Sequence, residues 1–402
     1  MPKRRACMHE FYSPTKIIFG EGCASETAPR LREMGATKVL IVTGKSSTAS
    51  SEGFRDLCKG LDAAGIQWVH FAEVSADPET STVDKGAEVY RANDCNAIIG
   101  FGGGSPIDCA KGIAASIGEG RPIRDFVGTG LAFTKPVPPL VAIPTTAGTG
   151  TEVTNAAVFT IVDEHGHRSK KGTSSQFYFP RLAIVDPLLH MRMPPSLTAA
   201  TGMDALTHAI EAFVSRFHTP VSDMYCMEAV RRIGRSLRAA CRVGSDSGTG
   251  DGAFGAGRGL KASGSSSGDR ALLEARSDMA LAATLAGVGL SQAGLGMVHG
   301  FAHPVGAMAG LAHGLANAEI TFDLLVDTAN RHDFAMLVHG AGDGDTLRQW
   351  QTGNGGQQRI ELGAGSRIAF DAMIFLLKHQ RGIERQRRQF GKARGQPTFQ
   401  YK

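Results

Sequence analysis

Three histidines, His299, His303 and His313, fall within GMVHGFAHPVGAMAGLAHGLANA (296–318), a stretch otherwise composed almost entirely of Gly, Ala, Leu, Met and Val. With 13 histidines in 402 residues, a 15-residue window should hold about half of one, and this window holds three. Burying a neutral imidazole without a partner costs roughly 1–3 kcal/mol, so three in one apolar run call for a shared partner, and a divalent metal is one. In TGMDALTHAIEAF, Asp204 and His208 stand i,i+4 on an apolar-patterned helix and project from one face about a turn apart, as a bidentate metal arm would. Taken alone, such a pair is most simply a helix-surface pair. Beside the histidine run it completes a mixed oxygen and nitrogen donor set suited to Fe(II), Zn(II) or a similar first-row ion. Spacing leaves open which histidine is spare: His299 and His303 are themselves i,i+4, and Pro304 is expected to disturb the helix just after His303.

A second chemistry is written into AIIGFGGGSPIDCAKGIAAS. It reads as a buried strand, a tight turn at Gly102, Gly103 and Gly104, and a helix with Ser105 as N-cap, Pro106 at the first helical position and Asp108 three after the cap. Free N–H groups and the positive dipole end of such a helix favour an anion, and glycines let a pyrophosphate approach the backbone. The motif is not GxGxxG, so a purely structural turn is the competing reading. IPTTAGTGTEVTN follows the next strand and offers the hydroxyls of Thr145, Thr146 and Thr149 where strand ends of an open sheet gather; clustered Thr is otherwise ordinary turn chemistry.

These residues need a scaffold. From Thr15 to about Leu189, TKIIFG, KVLIVTG, QWVHFAEV, AIIGFGGGS, PLVAIPTT and LAIVDPLL alternate with amphipathic segments, the pattern of a parallel α/β domain. After MPPSLTAATG the strand signals stop and Ala/Leu/Met-rich runs follow, which predicts an α/β domain over 1–195 and a helical metal-binding domain over 196–318. Within the latter, 243–270 holds 9 Gly and 6 Ser among 28 residues and is expected to be a flexible insertion. Residues 319–402 lack a helical apolar period in their Gly- and Gln-rich part and are expected to form a divergent C-terminal segment that folds poorly or not at all.

The formal charge of +5 does not signal a nucleic-acid binder, because Lys378 to Lys402 carries eight Lys or Arg and one Glu, a net +7 that leaves −2 elsewhere. A basic end of this kind is usually a solvated tail. Seven scattered cysteines form no CxxC pair, there is no apolar h-region after the basic start, and no run of about 18 apolar residues occurs, so a reduced, cytoplasmic protein without a membrane span is expected.

With GGGSPIDCAK, PTTAGTGTEVT, LAIVDP, TAATGMDALTHAIEA and the histidine run present in this order, the chain resembles the iron-containing, group III alcohol dehydrogenases over roughly Phe19 to Ala318. The resemblance implies an α/β dinucleotide-binding domain followed by an all-helical domain, the dehydroquinate synthase-like architecture, with the site between them. It places the metal ligands on Asp204, His208, His299 and His313, and makes His303 the catalytic ring beside the nicotinamide that relays the alcohol proton. It places the cofactor on Gly103, Gly104 and Ser105 with Asp108 nearby, and on Thr145, Thr146, Thr149 and Lys171. The implied reaction is hydride transfer between NAD(P) and a small primary alcohol or aldehyde whose oxygen the metal holds, with Fe(II) or alternatively Zn(II). Where the family often has an acidic residue ending the second strand, this chain has Gly44 followed by Lys45, so acceptance of NADP as well as NAD is expected. A homodimer fits the family. The alternatives are a polyol dehydrogenase or dehydroquinate synthase-like relative, and a degenerate, non-catalytic binding protein using the basic tail.

Overall fold

The computed structural model describes residues 9–45, 48–242, 267–309, 311 and 313–330. Six strands form one parallel sheet: β1 (Lys16–Phe19), β2 (Lys38–Gly44), β3 (Gln67–Val74), β4 (Ala97–Gly102), β5 (Leu140–Pro144) and β8 (Leu182–Val185). Their order is β1-β8-β5-β4-β2-β3. The central strands read as continuous apolar runs because both faces are covered, whereas β1 at the edge is largely exposed. Alternation along β2 divides the core: Val39 and Ile41 face Leu31 of α1 (Thr27–Glu33) and Leu57 and Leu61 of α2 (Glu52–Ala63). Leu40 and Val42 face Val83 and Ala87 of α3 (Thr80–Ala92) and Ile113 of α4 (Gly104–Glu119).

All six expected strands are present, and one element was not foreseen. Between β5 and β8, β6 (Ala156–Val162) and β7 (Arg168–Ser174) form a separate antiparallel hairpin. Its second strand, RSKKGTS, is polar and mostly exposed, so it carries no hydrophobic alternation to read.

From Pro195 onward the described residues are helical: α5 (Pro195–Val214), α6 (Pro220–Ala240), α7 (Ser267–Ala293), α8 (Met297–Ala309) and α9 (His313–Asn330). α5, α6 and α7 meet through small side chains, Ala209, Ala212, Cys226, Ala229, Ala286 and Ala293, which let the helices approach closely. α7 is also fastened to the α/β part. Its Ala280 and Val288 pack with Val153, Ala183 and Val185, and the Arg276 guanidinium donates to the carbonyls of His190 and Met193. Both regions therefore fall in one compact unit, Met1–Asp327, and the change of architecture expected at 195/196 is not a break in packing.

Three expectations about the helical part are corrected. The insertion expected over 243–270 has its last residues, Ser267 to Arg270, in the first turn of α7; 243–266 lie outside the described residues. α8 runs through Pro304 unbroken, although proline has no N–H to donate to the helix. The segment expected to diverge from residue 319 begins instead as the continuation of α9 to Asn330, since EITFDLLVDTAN holds apolar residues at helical spacing. Residues 331–402, including the basic tail, lie outside the described ones.

Candidate metal and cofactor site

α5 carries Asp204 and His208 one turn apart, both buried, and α8 and α9 bring up His299 and His313. Three imidazole Nε2 atoms surround one carboxylate oxygen: Asp204 Oδ1 lies 3.8 Å from His208, 3.5 Å from His299 and 3.6 Å from His313. Donor atoms bound at about 2.1 Å to one tetrahedral centre stand about 3.4 Å apart, so these separations match a single shared cation to within a few tenths of an ångström. The donor atoms of Asp204, His208 and His299 all lie within 4.8 Å of one another. The rings of His208 and His299 stack at 4.5 Å, and the Nε2 of each lies within 3.8 Å of Asp204 Oδ1.

The electrostatics agree. Burial alone would raise the Asp204 carboxyl, yet His208, His299 and His313 hold it well below the usual carboxylate range. Burial pulls His208 down to about 4 and also lowers His313. His299 runs the other way: against the burial that opposes its charge, Asp204 and Glu211 bring it up to about 9. The cluster thus stabilises a positive charge at its centre. The fourth histidine, His303, lies on α8, and its side chain is outside the described residues.

The two expected cofactor turns interlock. Thr145 N–H donates to Gly102 O at 2.8 Å, and a Cβ on Gly103 or Gly104 would come within 3.3 Å of Thr146 Oγ1 or 2.8 Å of Thr149 Cγ2. The helix opens earlier than expected: Gly103, not Ser105, is the N-cap of α4, and no side chain caps it. Its first-turn N–H groups are therefore left for an anion. Ser105, inside the first turn, accepts from Asp77 N–H at 3.3 Å. Asp108 turns away from the turn: its oxygens accept from Thr151 Oγ1 at 2.6 Å and Val158 N–H at 2.9 Å, which ties α4 to the hairpin. Gly44 closes β2, with Lys45 exposed beyond it. Lys171 is exposed and packs beside Gly128. Its neighbour Lys170, on the other face of β7, pairs with Asp77 at 2.6 Å and is close enough to lower the pKa of His313.

The profile described as "Iron-containing alcohol dehydrogenase" matches residues 14–187. The profile for the C-terminal part of the Fe-containing alcohol dehydrogenase family matches 198–257 and 262–332. The chain belongs to the iron-containing alcohol dehydrogenase family. It is 37% identical to the NAD-dependent methanol dehydrogenase of Bacillus methanolicus over 338 residues, 82% of this chain and 80% of that protein. It is 37% identical to the 1,3-propanediol dehydrogenase of Klebsiella pneumoniae, over 82% of this chain and 79% of the other. A crystal structure of 1,3-propanediol oxidoreductase aligns at TM-score 0.73 and 32% identity, covering 92% of this chain and 86% of that one. The sulfoacetaldehyde reductase of Bifidobacterium kashiwanohense in complex with NAD+ aligns at 0.68 and 29% identity, covering 80% and 77%.

Within this iron-containing alcohol dehydrogenase, sequence reasoning missed three buried polar residues at the two sites. Asn317 stands one turn after His313 on α9, and its Nδ2 donates to Asp204 Oδ1 at 2.6 Å. Glu211 lies 2.6 Å from His299 Nδ1. Lys111, on α4, donates to the loop that follows Thr149. Helical spacing could have flagged the first two, since Asn317 is i+4 from His313 and Glu211 is i+3 from His208.

Proposed function

We propose that this iron-containing alcohol dehydrogenase oxidises small primary alcohols and reduces their aldehydes with NAD, and that it also accepts NADP. The observation that carries the reading is the convergence of three Nε2 atoms on one buried carboxylate oxygen. Asp204, His208, His299 and His313 would hold the cation, Fe(II) or alternatively Zn(II), which when bound acts as a Lewis acid toward the substrate oxygen. Asp204 supplies the negative charge that retains it, and it stands buried beside the buried rings of His208 and His299, where that charge is little screened. Gly103, Gly104 and Ser105 would receive the cofactor pyrophosphate at the start of α4, with Thr145, Thr146 and Thr149 closing over it. His303 is assigned the relay of the alcohol proton toward solvent. At the adenosine end, Gly44 brings no carboxylate to repel a 2′-phosphate, and Lys45 brings a positive charge that would attract one. On the hairpin, Lys171 of the exposed strand β7 is assigned as a further cofactor contact.

A cytoplasmic, homodimeric enzyme is the setting we assign. The described cysteines are all free, and among the described residues no helix is long and apolar enough to cross a membrane. One experiment tests the whole reading: anaerobic metal analysis followed by a panel of C1–C4 alcohols and aldehydes with NAD(H) and NADP(H). Stoichiometric iron or zinc, turnover lost in His313→Ala with the fold retained, and comparable affinity for the two cofactors are expected. Full activity in His313→Ala would refute the ligand set, and NADPH binding far weaker than NADH would refute the role of Lys45.

A further inference from the structure

Glu211 stands on α5 seven residues after Asp204 and three after His208, so it shares their face of the helix. Its side chain is buried and reaches the start of α8. There Oε1 accepts the Val298 N–H at 2.6 Å, and Oε2 lies 2.6 Å from His299 Nδ1. Gly296 fits closely above: a Cβ there would come within 2.8 Å of Oε1, so the approach of the carboxylate requires a glycine.

We propose that Glu211 is the positioning residue of the metal centre, the group that decides which nitrogen of His299 is available to the cation. A neutral imidazole has one N–H and one lone pair. A carboxylate can only accept, so at 2.6 Å it holds a proton on Nδ1, which leaves Nε2, 3.0 Å from Asn317 Nδ2 and 3.5 Å from Asp204 Oδ1, as the nitrogen that gives up its proton when a cation binds. The same carboxylate receives a first-turn N–H of α8 and so fixes the helix that carries the ring. The two demands explain why a carboxylate stands here. Val298 N–H and His299 Nδ1–H each need an acceptor, and an amide of the same shape has only one oxygen to offer.

The inference rests on the assignment of Asp204, His208, His299 and His313 as ligands, and the test separates the two. Full-length wild type, Glu211→Gln, His299→Ala and the double variant are stripped of metal and titrated with zinc(II) against a competing chelator. Glu211→Gln should bind zinc at least about tenfold more weakly, within the 10–100-fold range of such supporting groups. In the His299→Ala background the same change should add nothing. A loss below about tenfold, or an equal loss without His299, overturns the positioning role, whereas wild type that binds no stoichiometric zinc refutes the ligand set itself. If Glu211→Gln does not fold, the ¹⁵N shifts of zinc-loaded wild type decide: a protonated Nδ1 on His299 is expected, and a proton-free Nδ1 overturns the inference.

Discussion

Replacing Lys111 by Met should be among the most damaging single changes in the α/β part. Lys111 is fully buried, and Nζ donates to Thr151 Oγ1 at 2.8 Å, Thr154 O at 2.9 Å, Thr154 Oγ1 at 3.0 Å and Ala156 O at 2.8 Å. Burial draws its pKa down to about 8 against Asp108 and Glu152, so at neutral pH the ammonium is still mostly charged. Thr151 passes the chain of bonds on to Asp108, whose carboxyl burial pushes up. Met keeps the length and apolar stem but removes every donor, leaving Asp108 and Glu152 buried without a cation nearby. Hydrogen bonds to a charged group contribute about 1.5–3 kcal/mol each, and several are lost, but the desolvation cost of the ammonium disappears with them. Removing one partner from a buried charged network costs about 3–5 kcal/mol, and we expect a loss in that range. Urea unfolding of both proteins at pH 7 measures it. The Lys111→Met/Asp108→Asn double variant should be less destabilised than the sum of the single changes by about 1 kcal/mol or more, because the stranded carboxylate is then gone. A single-variant loss under about 1 kcal/mol, or strict additivity, would refute the account of a coupled buried network.

Two further outcomes follow from buried contacts. Burial holds His190 neutral with its pKa at about 4, against 6.5 for the free side chain, while Nε2–H donates to Pro144 O at 3.0 Å. Between these values the unfolded chain binds the proton and the folded one does not, so stability falls as pH drops from 6.5 to 4, by up to about 3 kcal/mol. His190→Gln should flatten that limb of an unfolding-versus-pH curve, and parallel curves would count against the assignment. Gly150 sits at φ 61 with its backbone against α7, and a Cβ would meet Ala283 O and Gly287 Cα at 2.7 Å. Gly150→Ala should therefore cost about 2–5 kcal/mol in chemical unfolding, from strain and overpacking together; a loss under about 1 kcal/mol would mean that α7 shifts freely.

What could be read from the residues, and what could not, follows from where each signal is carried. The central strands of the parallel sheet were legible because burial on both faces makes each a short, apolar run such as AIIGFG or LVAIP, and the part-exposed edge strands β1 and β3 because their β-branched and aromatic residues stand between turn signals. The hairpin was not, since its polar strand lies in solvent and owes its pairing to a partner strand rather than to a core. The start of α4 was misplaced by reading Ser105 as a cap. The turn is made by glycine backbone, and the absence of a capping side chain is what leaves its N–H groups available. At the metal cluster, Asp204 and His208 could be paired from local helical spacing. His299 and His313 join them from two other helices, so their relation to Asp204 is set by tertiary packing that no spacing rule contains. Glu211, Asn317 and Lys111 were passed over, although the first two stand at helical spacing from His208 and His313, because a charged or amide residue on an apolar helix reads as surface until the partner that buries it is known. Those partners are what give the site its character: a low-lying carboxylate among rings, with a second carboxylate behind one ring, favours a central positive charge more strongly than any of these residues would in solvent.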